Sequence, residues 1–441
     1  MFETIVALAT PPLKSALSIV RLSGDDCFEI VSRFFSKDLN NFASNQIMHG
    51  FIVDEKEIID EVVLLAYKGP KSFTGEDSVE IISHGSPLIF NRIIEVAIKN
   101  NARMANGGEF SSRAFMHGKL DLLQAESIND LINAESEESK KISLMALQGN
   151  ASKLIEPIKK DLGDLLSLIE VNIDYPEYTD IEEANYQKII EVSQKNISYI
   201  DSLIKDGYKG KIIKEGIKVA IVGKPNVGKS SLLNALIEEN KAIVTDIKGT
   251  TRDIVEGKFL LNGILINLLD TAGIRESLDL VEGIGINKSL AAIDDADLII
   301  ALFDDLVFDE EDQRILKLIE NKKHIIVYNK KDLLNKPTKD LLTISALNND
   351  IEPLKVRILQ ELGIRKENFD NPSIANFRGL GLLEKVREDL KKIISDSKNE
   401  LSLDLVNVTI KDAYLSILSM IGEDHDFDIA KEIFSRFCLG K

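Results

Sequence analysis

The sequence predicts an α/β plus all-α protein in three parts: an N-terminal α/β domain, a helical domain built from two chain segments, and a second α/β domain inserted between those segments. Three observations predict it. The 441 residues exceed what one hydrophobic core usually organises. Apolar periodicity switches three times along the chain, from strand and helix alternation to helical spacing, back to alternation, and again to helical spacing. A Gly-rich turn stands at the head of the second alternating stretch, where a strand gives way to a helix.

In the first part, residues 1–117, the runs Thr4–Thr10, Ala16–Leu22, Val62–Tyr67 and Val79–Ser83 read as strands, and Asp25–Phe35 and Leu88–Asn100 as one-faced helices. Residues 118–210 carry apolar positions three and four apart in Leu122–Leu147, Leu154–Ile173 and Ile189–Ile204, broken at Asp174-Tyr-Pro176. Residues 211–372 return to alternation, with strands at Lys218–Val222, Ile264–Leu269, Asp297–Asp304 and His324–Tyr328. Residues 373–441 are helical again in Leu380–Ile394, Leu401–Ile421 and Ala430–Phe437. Two separate helical domains are the alternative partition.

Composition bounds the function. Hydrophobic residues at 44% and charged residues at 29% are close to globular averages, and no stretch is simple enough to stay unfolded. No run of eighteen apolar residues occurs and Met1-Phe2-Glu3 lacks the basic start of a signal peptide, so a cytoplasmic protein without a membrane partner is expected. Lys and Arg number 54 against 72 Asp and Glu, a formal charge of −18, which excludes a chain that coats itself non-specifically in nucleic acid. Any RNA contact must be local or shared with a basic partner. The two cysteines, Cys27 and Cys438, lie far apart in the sequence without a Cys/His ligand pattern, which fits a reducing compartment and no structural zinc.

The chemistry is carried by spaced motifs. Gly223-Lys-Pro-Asn-Val-Gly-Lys-Ser230 follows the strand Val219–Val222 and precedes the helix Ser231–Leu236. Glycines let such a loop curl so that backbone N–H groups, here of Asn226 to Ser231 with Val227 and Gly228 among them, face phosphate oxygens. Lys229 reaches the β- and γ-phosphates and Ser230 ligates Mg²⁺. Asp270-Thr271-Ala272-Gly273, at the end of an apolar strand, offers a carboxylate to the Mg²⁺ shell and an N–H to the γ-phosphate. Asn329-Lys330-Lys331-Asp332 offers Asp332 to guanine N1–H and the 2-amino group, which adenine cannot match, so GTP is preferred over ATP. Ser345 and Ala346 supply the loop closing on the base, and Thr250-Thr251 the second Mg²⁺ hydroxyl, at Thr251. Together these define a Ras-like P-loop G domain.

Catalysis departs from the Ras arrangement, because Ile274 stands where a water-positioning Gln would follow Gly273. An apolar side chain cannot orient water. Glu276, Asp279 and Glu282 are the candidates for that role, and Arg252, Arg275 or a bound monovalent ion for the transition-state cation.

Beyond the nucleotide motifs, Thr4-Ile-Val-Ala-x-Ala-Thr-Pro-Pro12, Arg21-Leu-Ser-Gly24, Ser72-Phe-Thr-Gly-Glu-Asp77, Gly108-Glu-Phe110 with Arg113-Ala-Phe115, Lys119-Leu-Asp121 with Gln124-Ala-Glu126, Asp246-Ile-x-Gly-Thr-Thr-Arg-Asp253 and Phe437-Cys-Leu-Gly-Lys441 occur in order. On these the chain resembles, over essentially its whole length, the MnmE (TrmE) family of bacterial tRNA modification GTPases, within the TrmE-Era-EngA-YihA-Septin-like group. The resemblance implies an N-terminal folate-binding domain that forms a homodimer, a helical domain from two segments, and an inserted G domain. It implies an FAD-dependent partner, MnmG (GidA), in a heterotetramer or larger complex. With it, family members modify carbon 5 of the wobble uridine, position 34, of certain tRNAs, using a tetrahydrofolate derivative (5,10-methylene or 5-formyl) and GTP hydrolysis stimulated by K⁺.

Carried over by motif, Asn226 resembles the K⁺ ligand, completed by Thr245, Ile247 and Thr250, and Thr245 also falls in the GTP-binding set. Glu282, in Val281-Glu-Gly-Ile-Gly285, resembles the family's water-orienting glutamate. Arg21, Glu80, Lys119 and Lys441 resemble the folate contacts, and Cys438 is a candidate functional thiol beside the plainer reading of a small buried residue. The sequence departs from the family at Leu13-Lys-Ser-Ala16, where a Gly-rich stretch is usual, and at Asn348-Asn-Asp350, where a Thr-Gly-Glu-Gly type turn is usual. The competing reading, a ribosome-assembly GTPase of the Era/Der kind, predicts a basic RNA-binding domain that this acidic helical tail does not supply. A third, a dimerising GTP-switched scaffold, differs from the first in whether folate and Cys438 take part.

Overall fold

A computed structural model describes residues 3–39, 45–174, 185–239, 255–269, 292–333, 341–424, 433–434 and 440. They fall into two compact units, one of Met1–Asn129, Ile155–Val192 and Glu388–Lys441, the other of Asp130–Leu154 and Ser193–Arg387. Among the described residues no helix is long and apolar enough to cross a membrane.

The first unit is built on a six-stranded sheet of β1 (Ile5–Leu8), β2 (Leu17–Ser23), β3 (Gln46–Asp54), β4 (Glu57–Tyr67), β5 (Ser78–His84) and β6 (Arg103–Met104), in the order β3-β4-β5-β2-β1-β6. Alternation in β2 sends Val20 and Leu22 into a core with Leu64, Ile81 and the α2 (Pro87–Lys99) residues Phe90 and Ile93, beside α1 (Cys27–Ser32). The intervening Arg21 therefore falls on the opposite face, with Glu80 of β5 directly across the ladder. Helix α3 (Glu109–Met116) and then α4 (Leu122–Ile132) follow, and α7 (Glu156–Asp174) packs along α13 (Leu403–Ile421) with Lys159 paired to Glu423 at 2.6 Å. Strand β3, absent from the periodicity reading, is an edge strand whose Ile47 and Phe51 are exposed, so its outward face does not read as polar.

The second unit holds the five-stranded sheet of β7 (Ile217–Val222), β8 (Val255–Leu261), β9 (Ile264–Leu269), β10 (Leu298–Phe303) and β11 (His324–Tyr328), in the order β11-β10-β7-β9-β8, parallel except for β8. Both faces are covered. Leu298, Ile300 and Leu302 face a core with α9 (Lys229–Glu239) and α11 (Glu352–Leu362), while Ile299, Ala301 and Phe303 face one with Ile319 of α10 (Glu310–Ile319). That two-sided burial is why the strands read as continuous apolar runs.

The helical stretches differ from the sequence boundaries in instructive ways. Leu122–Leu147 is two helices, because Ser136 accepts a capping hydrogen bond from Ser139 N at 3.0 Å and starts α5 (Glu137–Leu147) afresh, ahead of the short α6 (Asn150–Lys153). Helix α8 (Tyr186–Glu215) runs well beyond Ile189–Ile204. Its extension carries Gly207, whose added Cβ would stand 2.5 Å from Ile374 O, so close packing there needs a residue that carries no apolar signal. Helix α12 (Phe377–Lys398) lies against it through Tyr208–Glu384 and Asp201–Arg387 pairs at 2.8 and 3.3 Å. Of Ala430–Phe437 only residues 433–434 are described, with Phe434 buried against Leu122 and Ala125.

Candidate functional site

Strand β7 ends in the middle of its sheet and the chain turns at once into α9. A Cβ at Gly223 would stand 2.4 Å from Leu302 O, and one at Gly228 2.2 Å from Asn329 Nδ2, so both positions exclude any side chain. Asn226 sits at φ 65, the left-handed region that Asn tolerates better than most residues. The turn delivers the N-terminus of α9 at Lys229, where the N–H groups of the first helical turn and the helix dipole favour an anion. Lys229 Nζ donates to Gly223 O and Lys224 O, each at 2.7 Å, which holds the ammonium over the turn. Ser230 is half-buried behind it and Ser231 exposed.

Buried Asn329 joins this turn to the two base-side loops. Its Nδ2 donates to Val227 O at 2.8 Å, and its Oδ1 accepts from Ala346 N at 3.0 Å. Ser345 Oγ donates to Asp332 Oδ1 at 2.5 Å, fixing the direction in which that exposed carboxylate can accept further hydrogen bonds. Lys330, itself at φ 59, is anchored to Asp304 at 2.6 Å. The loop after Ala346 closes through paired Ser345 and Asp350 backbone hydrogen bonds of 3.1 and 3.0 Å, with Asn349 at φ 57, in the left-handed region that Asn tolerates. Val227, Gly228, Lys229, Asn329, Asp332, Ser345 and Ala346 are thus brought together. Thr245, Ile247, Thr250, Thr251, the Asp270–Gly273 motif, Ile274 and Glu282 lie outside the described residues.

A second cluster forms on the six-stranded sheet. Arg21 bonds Glu80 Oε1 at 2.7 Å and donates to Gly440 O at 3.2 Å, with its guanidinium 5.7 Å from the Phe73 ring and 5.6 Å from that of Phe110. Burial and the Glu80 carboxylate push the neighbouring Tyr67 phenol up. Phe73 is carried on a loop held from beneath: buried Arg113 donates to Glu76 at 3.0 Å, Glu109 at 3.0 Å and Glu3 O at 2.9 Å. Burial alone would raise the Glu109 pKa, but hydrogen bonds from Arg103, Asn106 N and Arg113 outweigh it and bring it down to about 2. Of the expected folate contacts, Arg21 and Glu80 are therefore joined, while Lys119 is exposed after α3 and pairs with neither. Lys441 and Cys438 lie outside the described residues. Gly440, Phe73, Phe110 and Tyr67 are additions that sequence reasoning missed; Gly440, Phe73 and Phe110 sit inside motifs already quoted, and that was the available signal. Cys27 is fully buried and its thiol is pushed well above the ordinary range, which leaves it inert.

Residues 4–119 match the family model described as GTP-binding protein TrmE N-terminus, and residues 122–438 match the MnmE helical domain. The tRNA modification GTPase MnmE of Mesoplasma florum is 43% identical over 450 residues, covering 100% of this chain and 99% of that protein. The chain belongs to the MnmE family of tRNA modification GTPases. The MnmE of Malacoplasma penetrans is likewise 43% identical, covering 100% of each chain. Among solved structures, an Era variant from Aquifex aeolicus is 29% identical over 39% of this chain and 66% of that one, with a TM-score of 0.27. MnmE membership fixes the class of chemistry as that of a GTPase.

Proposed function

We propose that this chain couples GTP hydrolysis to modification of carbon 5 of the wobble uridine of certain tRNAs, to a carboxymethylaminomethyl or aminomethyl group, as a cytoplasmic homodimer acting with an FAD-dependent MnmG-type partner. The observation that carries the GTP half is Asn329, whose two buried hydrogen bonds hold the phosphate turn and the guanine-side loop in one frame. The tRNA half rests on likeness to relatives named for it along the whole chain. The domains are taken as residues 1–117, 118–210, 211–372 and 373–441.

In this reading the N–H groups from Asn226 to Ser231 bind the phosphates and Lys229 swings from the loop carbonyls onto them. Ser230 and Thr251 would hold Mg²⁺, which neutralises phosphate charge when bound. Asp332, oriented by Ser345, selects guanine. Asn226 is exposed on its left-handed turn, and its amide bonds no other described residue, so it can turn toward a cation with Thr245, Ile247 and Thr250. K⁺ there would offset transition-state charge in place of an arginine. Glu282 orients the water. Arg21, Glu80, Lys119 and Lys441 would receive a tetrahydrofolate derivative; the exposed Phe73 ring near Arg21 and the half-buried ion pair suit a flat, polar ring system. Replacing K⁺ by Na⁺ should slow GTP hydrolysis by about tenfold or more, since a smaller ion fits that ligand set less well; equal rates of phosphate release in the two salts would remove the ion from the reading. Loss of the gene should leave the wobble uridines of the target tRNAs without the side chain, as seen in tRNA nucleosides by mass spectrometry.

A further inference from the structure

Lys224, the second residue of the phosphate turn, is held at both ends. Its carbonyl accepts from Lys229 Nζ at 2.7 Å, while its own Nζ donates to Asp309 Oδ2 at 2.6 Å and Asp312 Oδ2 at 2.8 Å. Those carboxylates form the capping box of α10: Asp309 Oδ1 accepts from Glu311 N and Asp312 N, both at 3.0 Å, and Asp309 N donates back to Asp312 Oδ2 at 3.2 Å. The helix end therefore cannot shift away from the phosphate turn without breaking the Lys224 pairs. The Asp312 side chain is only 3% exposed and its Oδ1 has no hydrogen-bond partner among the described residues, so its charge leans on Lys224 and one backbone N–H. Hydrogen bonds from Lys224 and the cap hold Asp309 down at about 2.

We propose that Lys224 is a positioning residue for nucleotide binding and turnover, a strap that fixes the first half of the phosphate turn to the start of α10. The strap rests on the reading of residues 223–231 as the phosphate cradle. An exposed ion pair would be worth little, but removing Lys224 strands a buried carboxylate, which the surroundings relieve by moving the α10 cap and releasing the turn.

The rival account is that Lys224 acts as a positive charge near the phosphates and nothing more. The two accounts predict opposite signs. If charge alone matters, Asp309→Asn and Asp312→Asn remove negative charge from the neighbourhood and tighten GDP binding. If Lys224 is a strap, both weaken it. The affinity of the full-length chain for a fluorescent GDP, with steady-state GTP turnover, should be measured for Lys224→Met, Lys224→Arg, Asp309→Asn, Asp312→Asn and the Lys224→Met/Asp309→Asn double variant. The strap predicts a loss of about tenfold in affinity for Lys224→Met, a loss of the same order for Asp312→Asn and a smaller one for Asp309→Asn, substantial rescue by Lys224→Arg, and a double variant no worse than its poorer parent. Asp309 is exposed, so Asp309→Asn should fold even if Asp312→Asn does not. Tighter binding in Asp309→Asn, wild-type affinity in Lys224→Met, or additive losses in the double variant would overturn the strap. Lys229→Ala tests the cradle separately: it should lose binding outright, and normal binding there would sink the cradle reading itself, whatever the Lys224 variants do.

Discussion

Replacing Glu282 with alanine should cut GTP hydrolysis by about 10²–10⁴ while leaving GTP affinity unchanged. The expectation starts from Ile274, which occupies the place of a water-positioning glutamine and has no polar atom with which to orient a nucleophile. In the proposed mechanism the attacking water is aligned by a side chain farther along, and the resemblance of Val281-Glu-Gly-Ile-Gly285 to the family's motif puts Glu282 ahead of Glu276 and Asp279. Binding should be untouched because the proposed site gives the phosphates and the base to other residues, those joined around Lys229 and Asn329. Single-turnover phosphate release beside the affinity for a fluorescent GTP analogue separates the two quantities. Retained turnover would remove Glu282 from its role and return Glu276 and Asp279 to contention.

The Asn329→Ala exchange should instead damage binding. It deprives Val227 O and Ala346 N of their partner inside a buried junction, at about 1–3 kcal/mol for each group left unpaired. Because those groups belong to the phosphate turn and the base-side loop, the cost falls on the geometry that both loops share. GTP and GDP affinities should drop together by about two orders of magnitude. Asn329→Asp keeps the size and the acceptor but cannot donate to Val227 O, so it should be nearly as weak. Isothermal titration with each nucleotide checks this, and wild-type affinity in either variant would show that the loops hold their places unaided.

What was legible in the sequence was whatever burial imprints as a period or a turn imprints as a glycine. The strand, turn and helix around Gly223 and Gly228, the two-sided burial of β10 and the one-sided burial of β2 all follow from that. What was not legible depends on side chains meeting across long separations. Asn329 reaches Val227 across 102 positions and Lys224 reaches Asp309 across 85, and neither leaves a trace in periodicity. Gly440 beside Arg21 joins positions 419 apart. Strand β3 and the tail of α8 were missed for the opposite reason, since exposed apolar residues in the one and a packing glycine in the other contradict the pattern that reveals most elements.

GTP hydrolysis by this chain is proposed to drive wobble-uridine modification. That coupling is tested most directly by mass spectrometry of tRNA nucleosides from cells lacking the gene and resupplied with either the wild-type chain or Glu282→Ala. The modified uridine should vanish with the gene, return with the wild type, and stay absent with Glu282→Ala despite equal protein levels. Wobble uridines unchanged by loss of the gene would contradict the account.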